Sequence, residues 1–267
     1  MNTAKLILIF MMTIKCFDVS SQTSEQSTIA VYYDYKHIVD TTQPENPSSL
    51  ETVLCIGKVS STFTSLKQIK DQMRLEEFQK RNPEARLFGR TVFFGAPISF
   101  LKMVKGDAKV FSLSILDGNN FVVEEKLDIP QWKITSETKM IANYLCQKAI
   151  TNFKGRVYEA WFCNQLPYQN GPWKLGGLPG LILEAYDLKK EIIFTFKSIE
   201  YTSTSLITLP VNHKFVTSKE LNRAIQAFQD QISLPSDNST IRVTQSVSGE
   251  GVTKRKLLFN NPIEKGN

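Results

Sequence analysis
The sequence predicts an α+β fold: a mostly antiparallel, curved β-sheet or half-barrel with two helices packed on it. Three observations point there. From Arg90 to Ile199 the chain is dominated by short β-branched and aromatic runs cut apart by turn residues. Two segments carry helix signals instead, Ser65 to Arg81 and Thr217 to Ile232. No internal repeat and no long linker interrupts the sequence, so residues 22–267 are expected to form a single domain.

Taken in order, Ile29 to Tyr35 is the first strand, and residues 40–49, with Pro44 and Pro47, form a loop. Thr52 to Thr64 returns to strand composition. In the first helix Leu66, Ile69 and Met73 make one apolar stripe. Val92 to Phe94, Val110 to Leu116 and Phe121 to Lys126 are strands, the last two joined through Asp117-Gly118-Asn119-Asn120. Trp132 to Ile134, Met140 to Ala149 and Arg156 to Cys163 lead to a Gly/Pro run, after which Leu181 to Tyr186 and Ile192 to Ile199 pair as a hairpin. The second helix opens on a capping box, Thr217-Ser218-Lys219-Glu220, with Val216 and Leu221 placed as a hydrophobic staple. A strand from Ile241 to Val247 and the apolar Leu257-Leu258-Phe259 close the chain.

The first residues read as a signal peptide over 1–21: Lys5, an apolar core from Leu6 to Ile14, and Val19-Ser20-Ser21 as the cleavage site. Lys15 and Asp18 end the apolar run short of the about 20 residues a membrane span needs. Lys15 also argues against a lipid on Cys16. No later stretch approaches spanning length, so the mature chain is expected to lack a transmembrane segment and to lie in the periplasm or outside the cell. The net charge of +6 is spread along the chain, with Lys254-Arg255-Lys256 as its densest cluster. No nucleic-acid signature accompanies it, so no nucleic-acid partner is expected.

An exported chain can oxidise a cysteine pair. If Lys154-Gly155 is a two-residue hairpin turn, each residue before it faces its mirror image after it. That sets Cys146 opposite Cys163 in a non-hydrogen-bonded pair, where side chains approach closely. A disulfide there is feasible; the alternative is two buried thiols. Cys55 reads as a small core residue.

The chemistry-bearing residues form no recognisable set. His37 and His213 lack metal-ligand spacing, and no Cys-x-x-Cys or His-Glu-x-x-His occurs. Ser136-Glu137-Thr138-Lys139 with Ser236-Asp237-Asn238 echoes penicillin-recognising enzymes. However, Ser99-Phe100-Leu101-Lys102 fits the first element equally, Lys-Thr-Gly is missing, and Trp132 to Lys139 reads as strand and turn where a helix is needed. Glu124 and Glu125 are neighbours on a strand and point to opposite faces. No catalytic residue, metal or cofactor is expected, and the reading leans against an enzyme.

The Gly/Pro run is Gly171-Pro172-Trp173-Lys174-Leu175-Gly176-Gly177-Leu178-Pro179-Gly180-Leu181-Ile182. Leu178-Pro179-Gly180-Leu181 suits a type II turn with positive φ at Gly180, and Gly176-Gly177 permits close backbone approach or a bulge. Trp161 and Trp173 bracket the bends and are expected to bury large area there. With Cys146-Gln147-Lys148-Ala149, Gly155-Arg156, Ala160-Trp161-Phe162, Pro167 and Asn261-Pro262-Ile263-Glu264, the run resembles the GLPGLI family, exported proteins of unknown activity found mainly in Bacteroidota. The resemblance implies a periplasmic or surface-exposed protein, with Gly171, Pro172, Trp173, Lys174, Gly177, Leu178, Pro179, Gly180, Leu181 and Ile182 as structural motif residues and none carried over as catalytic.

Together these readings favour a non-enzymatic exported module whose curved sheet offers an apolar face to a lipid, peptide or envelope protein. Two alternatives stand beside it. One is a hydrolase with a carboxylate or Ser/Lys site, which requires a pocket of titratable groups. The other is a structural or assembly partner of an outer-membrane complex, which requires a large exposed apolar patch. The sequence leaves the oligomeric state open.

Overall fold
The computed structural model describes residues 24–82, 99–103, 108–116, 119–201, 205–233 and 260–265. The expected signal peptide and the runs Val92–Phe94, Ile241–Val247 and Leu257–Phe259 lie outside these residues. The elements are β1 (Glu25–Gln26), β2 (Ile29–His37), β3 (Ser48–Ile56), β4 (Ser60–Ser65), α1 (Leu66–Arg81), β5 (Ser99–Met103), β6 (Lys109–Leu116), β7 (Asn119–Lys126), β8 (Lys133–Ile141), β9 (Tyr144–Phe153), β10 (Arg156–Cys163), β11 (Leu181–Asp187), β12 (Ile192–Glu200), β13 (Leu206–Ile207), β14 (His213–Phe215) and α2 (Ser218–Ser233).

Twelve strands form one sheet in the order β14-β7-β6-β5-β4-β3-β2-β12-β11-β10-β9-β8, and β1 pairs separately with β13. Strands β2 to β7 and β8 to β12 are two meanders joined side by side, β2 against β12. This corrects the α+β, antiparallel expectation on two points. The chain is mostly β, with described helix confined to α1 and α2, and the sheet is mixed, because β14 runs parallel to β7. β14 arrives from β13 rather than through a tight hairpin with β7, so no turn forces it antiparallel. The sheet is also open, with β8 and β14 as its edges.

Its curvature follows from chain length. β7 and β8 stand ten places apart in the sheet order. On a flat sheet ten spacings are about 48 Å. The connection 127–132 spans at most about 25 Å fully extended. The sheet must therefore curl until its two wings approach. Lys154 Nζ, at the β9–β10 turn, reaches Asp128 in that connection at 3.2 Å.

The Gly/Pro run fills the curl. The main core joins Tyr33, Leu54, Phe63, Phe100, Tyr158, Phe162 and Phe194 from the strands with Trp173, Leu175 and Leu178 from the run. A smaller core on the opposite face of β2 to β7 joins Val53, Cys55, Leu101, Phe111 and Val122 to Ile207, with Leu66 and Leu209 packed on it. At α1, Ser65 caps the helix by accepting the Gln68 N–H, as its position before the helix predicts. Of the expected α1 stripe only Leu66 packs; Ile69 and Met73 are exposed. At α2 the capping box forms, with the Glu220 N–H donating to Thr217 Oγ1 and the Thr217 N–H to Glu220 Oε2.

Candidate functional site
Three polar arrangements stand out in this frame. The first ties the Gly/Pro run to both meanders. Lys102, 4 % exposed on β5, donates from Nζ to Asn170 Oδ1 at 2.9 Å, Leu175 O at 3.0 Å and Gly171 O at 3.3 Å. Asn170 Nδ2 donates to Ser61 Oγ on β4 at 2.9 Å. Desolvation lowers the Lys102 pKa to about 7. Lys174, also buried, reaches Glu125 on β7 at 2.9 Å and Glu264 at 2.7 Å. Trp132 Nε1 donates to Gly176 O at 2.8 Å.

Backbone geometry in the run differs from the expected type II turn. Gly180 is not among the positive-φ residues; Trp173 (φ 54°) and Gly177 (φ 84°) are. Gly180 is needed for space instead, because a Cβ there would lie 2.1 Å from Cys163 O. Trp173 is fully buried between Phe153 and Tyr158. Trp161 sits elsewhere. Strand alternation turns it to the face opposite Tyr158 and Ala160, away from Trp173.

The second arrangement centres on Arg156. Its five N–H donors are all used: Nε to Ile263 O, Nη1 to Asp187 and Glu191, Nη2 to Asn261 Oδ1 and Pro262 O. His37 Nε2 lies 2.8 Å from Asn261 O, and burial lowers the His37 pKa to about 4. These bonds seat residues 261–263 against β2, β10 and β11. His37 is thus structural, as its sequence context suggests, and so is His213, whose Nδ1 faces Pro210 O at 2.7 Å.

The third arrangement lies on the face of β8 to β11 turned away from Trp173, where polar side chains cover Trp161 and leave it 7 % exposed. Register sets Lys148, Trp161 and Glu184 side by side, with Glu159 beside Tyr186 in the next row of that face. Lys139 Nζ bridges to Glu184 at 2.7 Å and stands 4.5 Å above the Trp161 ring. Lys148 reaches Glu159 and Glu137, each at 3.2 Å. Tyr186 donates to Glu159 Oε2 at 3.0 Å and accepts from Trp161 Nε1 at 3.4 Å. Bonding to Glu137, with help from Glu159, raises the Lys148 pKa. Desolvation, opposed by the Trp161 bond, raises that of Tyr186. Alternating ammonium and carboxylate groups around an aromatic surface suit a ligand rich in hydroxyls and weakly polar faces.

Lys154 and Gly155 both have positive φ, the requirement of a type I′ hairpin turn, and the mirror-image register holds from Phe153/Arg156 to Gln147/Phe162. Cys146 and Cys163, next in that register, are buried free thiols, as is Cys55. Ser136 lies on the exposed edge strand β8, with no helix to bring Lys139 onto its face. Ser236, Asp237 and Asn238 lie outside the described residues. Among the described residues no cluster of His, Cys, Asp or Glu could hold a metal. Nor is any helix among them long and apolar enough to cross a membrane, which says nothing of a β-barrel. Sequence reading missed the β8–β11 patch, whose signal was the charged and aromatic residues alternating through Glu159, Trp161, Glu184 and Tyr186.

A curled, open, mixed sheet with a plugged interior and an aromatic, charge-laced face defines a β-rich domain class seen in known proteins. Residues 94–216 match the family model described as "N-glycanase peptide, N-terminal domain". The match covers less than half of the chain. Two crystal structures of PNGF-II are similar. The one in the C2 space group has a TM-score of 0.50 and 16% identity, and the one in P21 has 0.49 and 15%; each comparison covers 75% of this chain and 33% of the other. The chain thus spans about a third of the length of these structures. No curated protein matches. The GLPGLI assignment is corrected accordingly, because the matching model spans the Gly/Pro run and belongs to the N-glycanase family. The non-enzymatic carrier reading falls with it. Packing argues the same way, since Trp173, Leu175 and Leu178 occupy the interior a lipid would need.

Proposed function
We propose that the chain is an exported domain of glycanase type that acts on asparagine-linked glycans, engaging the sugar on the β8–β11 face. The observation that carries this reading is that the segment matched by the N-glycanase family contains the Trp161 patch. Glu159 and Glu184 can accept from sugar hydroxyls while Lys139 and Lys148 donate, and the aromatic surface of Trp161 and Tyr186 takes an apolar C–H face. Lys139 now covers Trp161, so binding requires this flexible side chain to swing aside. Export fits the proposal, since asparagine-linked glycans are carried largely by secreted and surface proteins.

The test uses the full chain and an N-glycosylated glycoprotein, with the same protein stripped of its glycans as control. Expected are glycan-dependent binding, a tenfold or greater loss of affinity in Glu184→Gln, and released glycan seen by mass spectrometry. Equal binding to both forms, with no glycan released, overturns the proposal.

A further inference from the structure
Register carries the row of Lys148, Trp161 and Glu184 well past β11. Glu184 faces Thr195 on β12, Thr195 faces Asp34 on β2, and Asp34 faces Glu51 on β3. Direct cross-strand partners point to one face of a sheet, so six side chains from six strands share one line on the outer side of the curl. Five strand spacings make that line about 24 Å long. A second line runs beside it, from Glu159 and Tyr186 through Ile193 to Lys36 and Ser49. Both lines exist only because β2 pairs with β12.

The two ends of these lines differ. On β8 to β11 the charged groups are tied to one another around Trp161 and Tyr186. From β12 onward Thr195, Asp34, Lys36, Ser49 and Glu51 are all exposed. Asp34 is the telling residue. Glu51 stands directly opposite it, and like charges in that position cost stability. Lys197 pairs with Glu51, whereas among the described residues no hydrogen bond or ion pair engages the Asp34 carboxylate. Both its oxygens are open to hydroxyl donors, and Lys36 in the neighbouring line offers donors of its own. A merely solvated face gains nothing from the repulsion, while ligand hydroxyls that donate to both carboxylates relieve it.

Resting on the glycan reading above, we propose that this face is a track for an extended oligosaccharide, with several sugar units in line across the strands. One unit lies on the Trp161–Tyr186 surface, where its C–H face meets the rings. The units beyond it donate hydroxyls to Asp34 and Glu51 and accept from Lys36 and Thr195. Each unit is held at high effective concentration by the one before it, so affinity grows with chain length. The substrate class is therefore a long branch of an asparagine-linked glycan, not its first sugars alone.

Titration calorimetry of the full chain with a short and a long free oligosaccharide, N,N′-diacetylchitobiose and a released high-mannose glycan, tests this. Neither probe carries an asparagine bond, so neither is consumed. The longer probe is expected to bind at least about tenfold tighter. Asp34→Asn should lose most of that gain, and its thermal melt should stay at or above that of the wild type, since the repulsion with Glu51 is gone. Equal affinity for the two probes, or a gain that survives in Asp34→Asn, overturns the track while the Trp161 reading stands. If neither probe binds, both fall.

Discussion

Of the buried cations that hold this sheet together, Arg156 and Lys102 have opposite surroundings. Arg156 sits among two carboxylates and three neutral oxygens, with every donor used. Lys102 sits among three neutral oxygens. A guanidinium is always charged and its planar fork fits carboxylates, so it can organise a permanent ionic clamp. An ammonium among dipoles can shed its proton, and the Lys102 pKa of about 7 reflects that. The first arrangement is a fixed ionic anchor, whereas the second holds its cation by dipoles alone.

The sharpest way to break this comparison is Arg156→Met. It leaves the buried Asp187 charge without its counter-ion and Asn261 Oδ1 and the Pro262 and Ile263 carbonyls without the guanidinium, and should cost about 3–5 kcal/mol in urea denaturation. Arg156→Lys should recover only part, because three donors cannot replace five. A midpoint unchanged in Arg156→Met would mean that the clamp contributes nothing.

Acid tests the same clamp through His37. Its folded pKa, about 4, lies below the unfolded 6.5. The unfolded chain therefore takes up the proton first. His37 contributes its full stability above pH 6.5, loses it as pH falls toward 4, and contributes no further change below that. The span amounts to about 3 kcal/mol. His37→Gln should flatten this limb relative to wild type, and parallel pH profiles would contradict the assignment.

Near Lys102, two glycines sharpen the picture. Gly180→Ala drives a Cβ into Cys163 O, whereas Gly176→Ala meets Gln169 O at only 3.3 Å. Thermal melts should show a loss of about 2 kcal/mol for the first and much less for the second. The smallest effect is expected far from both cations. Thr217→Ala removes the α2 cap, costs about 1 kcal/mol, and should speed hydrogen exchange in the first turn of α2 alone.

Much of the frame was legible because it rests on local chemistry. Lys154-Gly155 set the β9–β10 register, and Thr217 with Glu220 marked the start of α2. The break between β8 and β9 was not, since Ala142 takes φ 49° without a Gly or Pro to announce it. Gly180 misled because a glycine kept for space looks, in sequence, like one kept for φ. Lys102 entered the reading only as a chance Ser-x-x-Lys match, although a lysine amid Phe100, Leu101 and Met103 was itself a signal. The parallel β14 and the pairing of β2 with β12 depend on distant segments, which no local pattern encodes.

That pairing of β2 with β12 governs how the chain can assemble. Most pairs within each meander are hairpins between neighbours in sequence, which close in microseconds, while β4–β5 and β10–β11 close across longer connections. The seam between them joins residues 29–37 to 192–200 and must wait until both exist. A chain cut within 127–132 should therefore behave as two fragments that recognise each other chiefly along β2 and β12, with β14 on β7 and β13 on β1 completing the contact, a natural place to divide the molecule for complementation.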